Sequence, residues 1–199
     1  MNKNDVLRQA AKILQDGGIV AFPTETVFGL GIVFDNEKTY KKLNTIKMRS
    51  DDKPYTMMVA ELKEIEKYAE LNEQSKKLIK AFMPGPITLL LKVKNTVPKW
   101  VTHESEKIGI RIPAQEDLRN LIRLVKKPLL VPSANKTGTK PALNSIEAKK
   151  IFGSEVDFYI EGESGYKRPS TIVDTCGTII IVREGDISSL EINKVLEEK

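Results

Sequence analysis

The chain has 199 residues, of which 40% are hydrophobic and 30% are charged, a composition that allows a packed core and excludes an intrinsically disordered chain. Its 32 Lys and Arg residues outnumber its 27 Asp and Glu residues, and the net charge of +5 favours anionic ligands without demonstrating nucleic-acid binding. The single cysteine, Cys176, excludes an internal disulfide and a paired-cysteine zinc site, and the single histidine, His103, excludes a two-histidine metal centre.

Nothing in the sequence predicts a membrane segment or a division into domains. The amino-terminal residues are polar and charged, unlike the apolar stretch of about 7–15 residues in a secretory signal. The longest apolar runs are the length of a strand, well short of the about 18 residues that cross a membrane. With no repeat or linker visible, we expect residues 1–199 to form a single cytoplasmic domain.

Short apolar strands alternate with segments of helical periodicity along the chain. Asp5 is expected to cap a first helix that ends at Gly17-Gly18, and the apolar run 18–22 is expected to form a buried strand that ends before Pro23. A second helix is expected to begin at Asn36. Further helices are predicted at 62–69, 78–82 and 118–125, and further strands at 87–94, 108–112, 129–131, 156–160, 170–174 and 178–183. Because the last two strands are too close for a helical crossover, the pattern predicts an α/β fold with a mixed sheet.

Polar side chains lie at the ends of several predicted strands. Thr24 follows the first strand, Arg111 ends another, and Ser133 follows a third. Ligands of open α/β sheets bind where strand ends converge, although each of these residues could instead do no more than shape a local turn. Together with Ser170, which begins a later strand, they predict a convergent polar pocket.

A basic cluster at 41–53 contains five Lys and Arg residues against two Asp residues. Lys41 and Lys42 are expected on the solvated face of the second helix. Lys47 and Arg49 fall where the helical pattern ends, and two neighbouring cations there could hold one polyanion, Arg as a planar fork and Lys as a point charge. Composition alone leaves phosphate binding and simple solvation equally open for this pair.

Several common site motifs are absent from the sequence. It has no G-x-x-x-x-G-K-[ST] phosphate loop, and Gly29-Leu30-Gly31 does not continue into G-x-G-x-x-G. Zincin, EF-hand and kinase motifs are also absent. Cys176 is expected to be a buried thiol in a turn rather than a nucleophile, and His103 is assigned no chemistry. A nucleotide, if one binds, must therefore be held by another kind of cradle.

Seven short motifs occur in order along the chain. They are 17–31 (GGIVAFPTETVFGLG), 47–49 (KMR), 84–88 (PGPIT), 111–113 (RIP), 133–135 (SAN), 170–174 (STIVD) and 183–185 (REG). In this order they resemble the YrdC/TsaC family of threonylcarbamoyl-adenylate synthases. The resemblance extends over nearly the whole chain, and its most specific part is the K-x-R and S-x-N pair combined with P-T-E-T.

The resemblance implies a single α/β domain in which helices flank a twisted, mixed parallel and antiparallel sheet around a basic cavity, with 187–199 as a helical tail. It implies that L-threonine, bicarbonate and ATP are converted to threonylcarbamoyl-AMP and pyrophosphate. Separate partner proteins would then transfer the threonylcarbamoyl group to an adenosine beside the anticodon of certain tRNAs. Mg²⁺ is expected to enter with ATP, since the sequence shows no carboxylate cluster built to hold it.

The resemblance also assigns roles to individual residues. ATP would be bound by Lys47, Arg49, Lys53, Ser133, Asn135 and Arg183. The catalytic residues among these would be Lys47, Arg49, Ser133 and Asn135. Threonine would be bound by Thr24, Arg111, Val131 and Ser170, with Arg111 clamping its carboxylate through two hydrogen bonds. The chain departs from the family at Phe28, where many relatives have Tyr, and at Met58, where some have His.

Two other functions remain open from the sequence. The basic balance and the cluster at 41–53 would suit an RNA-binding module, although aromatic residues are only 6% of the chain and the aromatic pair of an RNP motif is missing. A regulatory protein that binds threonine or a nucleotide without turnover would retain the same cations and hydroxyl groups. Product formation is the observation that separates the three functions.

Overall fold

Helices and strands alternate through the computed structural model, which describes residues 2–49, 54–165 and 168–197. The helices are α1 (Lys3–Gln15), α2 (Glu37–Lys47), α3 (Leu62–Tyr68), α4 (Glu73–Phe82), α5 (Lys99–Thr102), α6 (Glu116–Val125), α7 (Ser145–Phe152) and α8 (Ser189–Glu197). The strands are β1 (Val20–Phe22), β2 (Gly29–Val33), β3 (Met57–Met58), β4 (Ala69–Glu70), β5 (Ile87–Val93), β6 (Lys107–Arg111), β7 (Leu129–Leu130), β8 (Phe158–Tyr159), β9 (Thr171–Asp174) and β10 (Ile180–Arg183).

These ten strands form one mixed sheet in the order β10-β9-β5-β6-β3-β7-β2-β1-β8, with β4 paired to β5 outside this path. The pairs β1–β8, β3–β6 and β5–β9 are parallel. The pair β9–β10 is antiparallel, as expected for strands joined by a connection too short for a helix. The predicted α/β fold with a mixed sheet is confirmed.

Helices cover both faces of this sheet. On one face α1 packs against α6, and their buried residues Leu14 and Leu121 join Phe22 of β1 in one apolar cluster. On the other face α2, α4 and α8 contribute to a larger cluster, which includes Leu43 and Leu78. Burial of these faces is the main stabilising contribution, at about 25 cal/mol for each Å² of apolar surface removed from water.

The predicted start of the first helix was wrong. Asn2 is the N-cap residue, and its side chain accepts a hydrogen bond of 2.9 Å from the backbone N–H of Asp5. Asp5 therefore lies in the first turn, where a carboxylate interacts favourably with the helix dipole. Both residue types favour a helix start, and the hydrogen bond decides which of them is the cap.

Strands β2, β3 and β4 and helices α5 and α7 were not predicted, and Ala69, expected in the third helix, lies in β4. Strand β2 contains two glycines, which interrupt the apolar pattern by which strands are recognised, and both lie against Phe22. A Cβ atom at Gly31 would come within 2.4 Å of Phe22 Cε1, so the close approach of β1 and β2 requires the missing side chain. Helix α7 is capped by Asn144, but its exposed Ile146 disturbs the apolar pattern by which helices are recognised.

Cys176 lies in the bend between β9 and β10, where its N–H donates to Asp174 Oδ1 at 3.0 Å. The residue is exposed, so the expectation of a buried thiol was wrong, because the bend leads to β10 at the edge of the sheet. None of the helices within the described ranges combines the length and the apolar character needed to cross a membrane.

Candidate functional site

A cavity of about 400 Å³ opens where β1, β6 and β7 end and β9 begins. The isolated bridge between Gly29 and Ser133 holds the loop after β7 against the start of β2 at this edge. Seven of the predicted site residues line the cavity: Thr24, Arg49, Arg111, Val131, Ser133, Ser170 and Arg183. The predicted convergence of polar residues at strand ends is therefore observed. Lys47 and Asn135 lie behind the wall, and Lys53 lies outside the described residues.

The loop after β1 is folded by its own hydroxyl groups. Thr24 Oγ1 donates to the carbonyl of Val27 at 2.8 Å and accepts from the N–H of Thr26 at 3.0 Å. The two threonine hydroxyls are 2.9 Å apart. Thr24 therefore shapes the local turn, as the first interpretation predicted, and also forms part of the cavity wall.

Arg111 is the last residue of β6 and is 3% exposed. Its Nη1 and Nη2 atoms each donate to Thr26 Oγ1 at 3.2 Å, and Nη2 forms an ion pair with Glu25 Oε1 at 2.6 Å. Arg111 Nε and Glu25 Oε2 are buried without a hydrogen-bond partner. The arginine was predicted as a site residue, whereas Glu25 and Thr26 were not, although both stand in the P-T-E-T motif of the loop after β1.

Ser170 and Arg183 lie together in the cavity lining. Arg183 Nε and Nη2 donate to the Ser170 carbonyl at 3.0 and 2.8 Å, and Ser170 Oγ lies 2.9 Å from Thr88 Oγ1. Although Arg183 is exposed as a residue, partial burial of its guanidinium lowers its pKa, and the positive charge of Arg111 lowers it further. Two guanidinium groups are thus close enough to repel each other, which favours an anion between them.

Lys47 is the last residue of α2 and is 2% exposed. Its Nζ atom donates to the carbonyls of Ser133 and Asn135, at 2.5 and 2.7 Å. Burial lowers the pKa of Lys47 to about 7, and the charges of Arg49 and Lys136 act in the same direction. The ammonium therefore fixes the loop after β7 from behind the cavity wall.

The S-x-N motif is held together by its own side chains. Ser133 Oγ donates to Asn135 Oδ1 at 2.6 Å, and Asn135 Nδ2 donates to the carbonyls of Lys136 and Thr139 at 2.9 and 2.8 Å. The amide group of Asn135 thus shapes the loop, while Ser133 remains in the lining.

Arg49 enters the cavity from the segment after α2. Its guanidinium carbon lies 4.6 Å from the centre of the Tyr55 ring, a geometry that stabilises a cation over an aromatic face. Tyr55 is 2% exposed, and its hydroxyl donates to Asn44 Oδ1 at 2.5 Å. Tyr55 was not predicted as a site residue, because only the folded chain brings its ring beneath Arg49.

The described lining carries three arginines and no carboxylate, so the cavity is electropositive, with Glu25 behind Arg111. Phe28 and Met58 also line it, so both departures from the family pattern fall at the site. Within the described residues, no three or more His, Cys, Asp or Glu side chains are grouped as metal ligands. The arrangement suits an anionic ligand held by guanidinium and hydroxyl groups.

Comparison with known proteins gives a consistent relationship. A family model for Sua5, YciO and YrdC, described as "Telomere recombination", matches residues 12–185. The threonylcarbamoyl-AMP synthase of Pyrococcus abyssi is 34% identical over 195 residues, which are 96% of this chain and 57% of that protein. A protein of Methanocaldococcus jannaschii is 37% identical over 187 residues, 93% of this chain and 88% of the relative. The chain thus spans little more than half of the first relative and most of the second.

Solved structures show the same fold. The crystal structure of P. abyssi Sua5 complexed with L-threonine matches all of this chain and 59% of its own, with a TM-score of 0.94 and 33% identity. Escherichia coli YciO matches with a TM-score of 0.88 and 25% identity, over 96% of this chain and 94% of its own. The resemblance seen in the sequence motifs is confirmed, and the chain belongs to the Sua5/YciO/YrdC family.

Proposed function

We propose that this chain is an L-threonylcarbamoyladenylate synthase, which converts L-threonine, bicarbonate and ATP to L-threonylcarbamoyl-AMP and pyrophosphate. The observation that carries the proposal is the convergence of Arg49, Arg111 and Arg183 with hydroxyl groups on one cavity of about 400 Å³. The name of the P. abyssi relative and the threonine in its crystal structure support the same activity.

The reaction requires positioning and charge neutralisation. The threonine ammonium group combines with bicarbonate to give a carbamate, with loss of water and a proton. A carbamate oxygen then forms a bond to the α-phosphorus of ATP while the bond to pyrophosphate breaks. Because both reactants are anions, fixed cations lower the barrier more effectively than a nucleophilic side chain would.

We assign the candidate site residues to threonine or to ATP by their charge and by their position at the cavity. Arg111, supported by Thr24, Ser170 and Val131, is proposed to hold the threonine carboxylate. The proposed triphosphate ligands are Arg49, Lys53, Ser133 and Arg183. Lys47 and Asn135, which lie behind the wall, contribute by fixing the loop that carries Ser133.

Mg²⁺ is proposed to enter as part of the substrate MgATP. The described lining offers hydroxyl and guanidinium groups but no carboxylate. The ligands of the ion would therefore be triphosphate oxygens and water, in keeping with its preference for oxygen. The ion supplies charge neutralisation on the phosphates when it is bound.

The product is proposed to serve the threonylcarbamoyladenosine modification beside the tRNA anticodon. Separate transfer proteins would consume the adenylate in the cytoplasm, which would place this chain at the start of the modification. Direct contact with tRNA, if any, is proposed to be weak.

The test is incubation of purified protein with MgATP, L-threonine and bicarbonate, followed by pyrophosphate measurement and by mass analysis for the labile adenylate. Pyrophosphate release that needs threonine and bicarbonate together is expected. ATP turnover that is indifferent to threonine refutes the proposal. Threonine binding without product indicates a regulatory protein, and tight, salt-sensitive tRNA binding without ATP indicates an RNA-binding module.

A further inference from the structure

Glu25 is a buried carboxylate placed directly behind the cavity wall. It is 8% exposed, and its Oε1 atom forms an ion pair with Arg111 Nη2 at 2.6 Å and accepts a hydrogen bond from the backbone N–H of Ala114 at 2.8 Å. Arg111 lines the cavity and Glu25 does not. The carboxylate therefore acts on the cavity only through the arginine.

The guanidinium of Arg111 is held from two directions. Glu25 contacts Nη2, while Thr26 Oγ1 accepts from both Nη1 and Nη2. Two of its five N–H bonds donate to Thr26, and the ion pair with Glu25 holds Nη2, so the planar guanidinium cannot rotate without breaking a buried hydrogen bond or the ion pair. The remaining Nη1 N–H is the one available for a ligand, since Nε is buried.

We propose that Glu25 is the positioning residue of the amino-acid carboxylate site: it fixes the Arg111 guanidinium so that the enzyme selects a ligand bearing an α-carboxylate. This inference rests on the proposed function, because that function places threonine at Arg111. Glu25 itself does not touch the substrate.

The electrostatics support this role over simple neutralisation in the core. A buried arginine without its carboxylate partner would pay a desolvation cost, and it would turn its guanidinium toward the water of the cavity. Substrate binding would then have to reorder that side chain, and affinity for the carboxylate would fall. ATP, which the proposal places on other cations, would be affected much less.

Four variants test the inference by calorimetric binding of L-threonine and of MgATP. Glu25→Ala removes the acceptor, whereas Glu25→Gln keeps an oxygen that can accept from both Arg111 and Ala114. Thr26→Val removes the second acceptor of Arg111 and serves if Glu25→Ala fails to fold, with Thr26→Ser as its matched control. L-threoninol, in which an alcohol replaces the carboxylate, is the competing ligand that reports carboxylate selectivity.

The expected result is a rise of about tenfold or more in the threonine Kd for Glu25→Ala, with the ATP Kd within about twofold of wild type. Selectivity for threonine over threoninol should fall in the same variant, and Glu25→Gln should recover the threonine Kd to within about threefold of wild type. Thr26→Val should weaken threonine binding, and Thr26→Ser should restore it.

An unchanged threonine Kd in Glu25→Ala overturns the inference. If Glu25→Ala does not fold, an unchanged threonine Kd in Thr26→Val overturns it. Equal weakening of threonine and ATP, or equal damage from Glu25→Ala and Glu25→Gln, also overturns it. Wild-type protein that makes no threonylcarbamoyl-AMP refutes the proposed function instead, so the two failures are distinguishable.

Discussion

Replacement of Lys47 by Met should remove a pH dependence of stability that the buried ammonium creates. Lys47 is 2% exposed, and burial lowers its pKa to about 7, whereas a lysine in an unfolded chain titrates near about 10.4. Between these two values the unfolded chain binds a proton that the folded chain lacks. The free energy of unfolding of the wild type must therefore rise with pH across this interval.

The magnitude follows from the linkage relation. One proton of difference between the folded and unfolded states changes the free energy of unfolding by about 1.4 kcal/mol per pH unit. From about pH 7.5 to about pH 9.5, the wild type should gain up to about 3 kcal/mol relative to Lys47→Met. The carbonyls of Ser133 and Asn135, which accept from the ammonium, oppose part of this gain because they stabilise the charged form.

The assay is urea unfolding at several pH values, with the wild-type minus variant difference plotted against pH. A constant offset from the lost hydrogen bonds does not affect the slope, and two-state behaviour is checked by coincident probes. Lys38→Met, at an exposed position of the same helix, is the matched control for the substitution. A Lys47 difference that changes by less than about 1 kcal/mol over the interval would refute the reasoning.

Three further substitutions test the site. Arg49→Ala should lower kcat/KM by about 100-fold or more while shifting Tm by only a few degrees, because a half-buried residue stacked on Tyr55 adds little to the core; a large loss of Tm contradicts this. Arg111→Lys should raise the KM for threonine more than the KM for ATP, since an ammonium cannot contact Thr26, Glu25 and the ligand in the geometry of the planar guanidinium, and equal rises would remove the threonine assignment. Cys176→Ser should leave kcat/KM unchanged, because the residue lies outside the cavity lining, and because partial desolvation of its thiol and the charge of Asp174 raise its pKa; lost turnover would assign the thiol a role.

The sequence predicts best the helices and strands whose own side chains show a clear apolar periodicity. Helix α6 has Leu118, Leu121, Ile122 and Val125 on one buried face, and such spacing predicts a helix without any knowledge of its neighbours. Strand β2 was missed because Gly31 is required by contact with Phe22. That contact forms only when β1 and β2 pair, so the local pattern contains no sign of it.

For the candidate site too, the sequence predicts what the local pattern carries and not the contacts that form only on folding. Strand-end polar residues such as Thr24 and Arg111 are visible in the sequence because a sheet brings strand ends together. The pairing of Glu25 with Arg111 joins residues 86 positions apart, and the direction of the Lys47 side chain depends on where the loop after β7 lies. Both are properties of the assembled chain.

Arg111 and Arg183 differ in a way that matches the charges of the proposed ligands. Arg111 is buried and paired with Glu25, so its charge is partly compensated before any ligand arrives. Arg183 contacts the carbonyl and hydroxyl of Ser170, and within the described residues it has no carboxylate partner. A substrate with one carboxylate needs to be oriented more than attracted, and an arginine whose charge is partly compensated can orient it. A triphosphate carries several negative charges, so it is bound most strongly by an arginine that has no carboxylate partner. The same difference predicts that added salt should weaken binding of ATP more than binding of threonine.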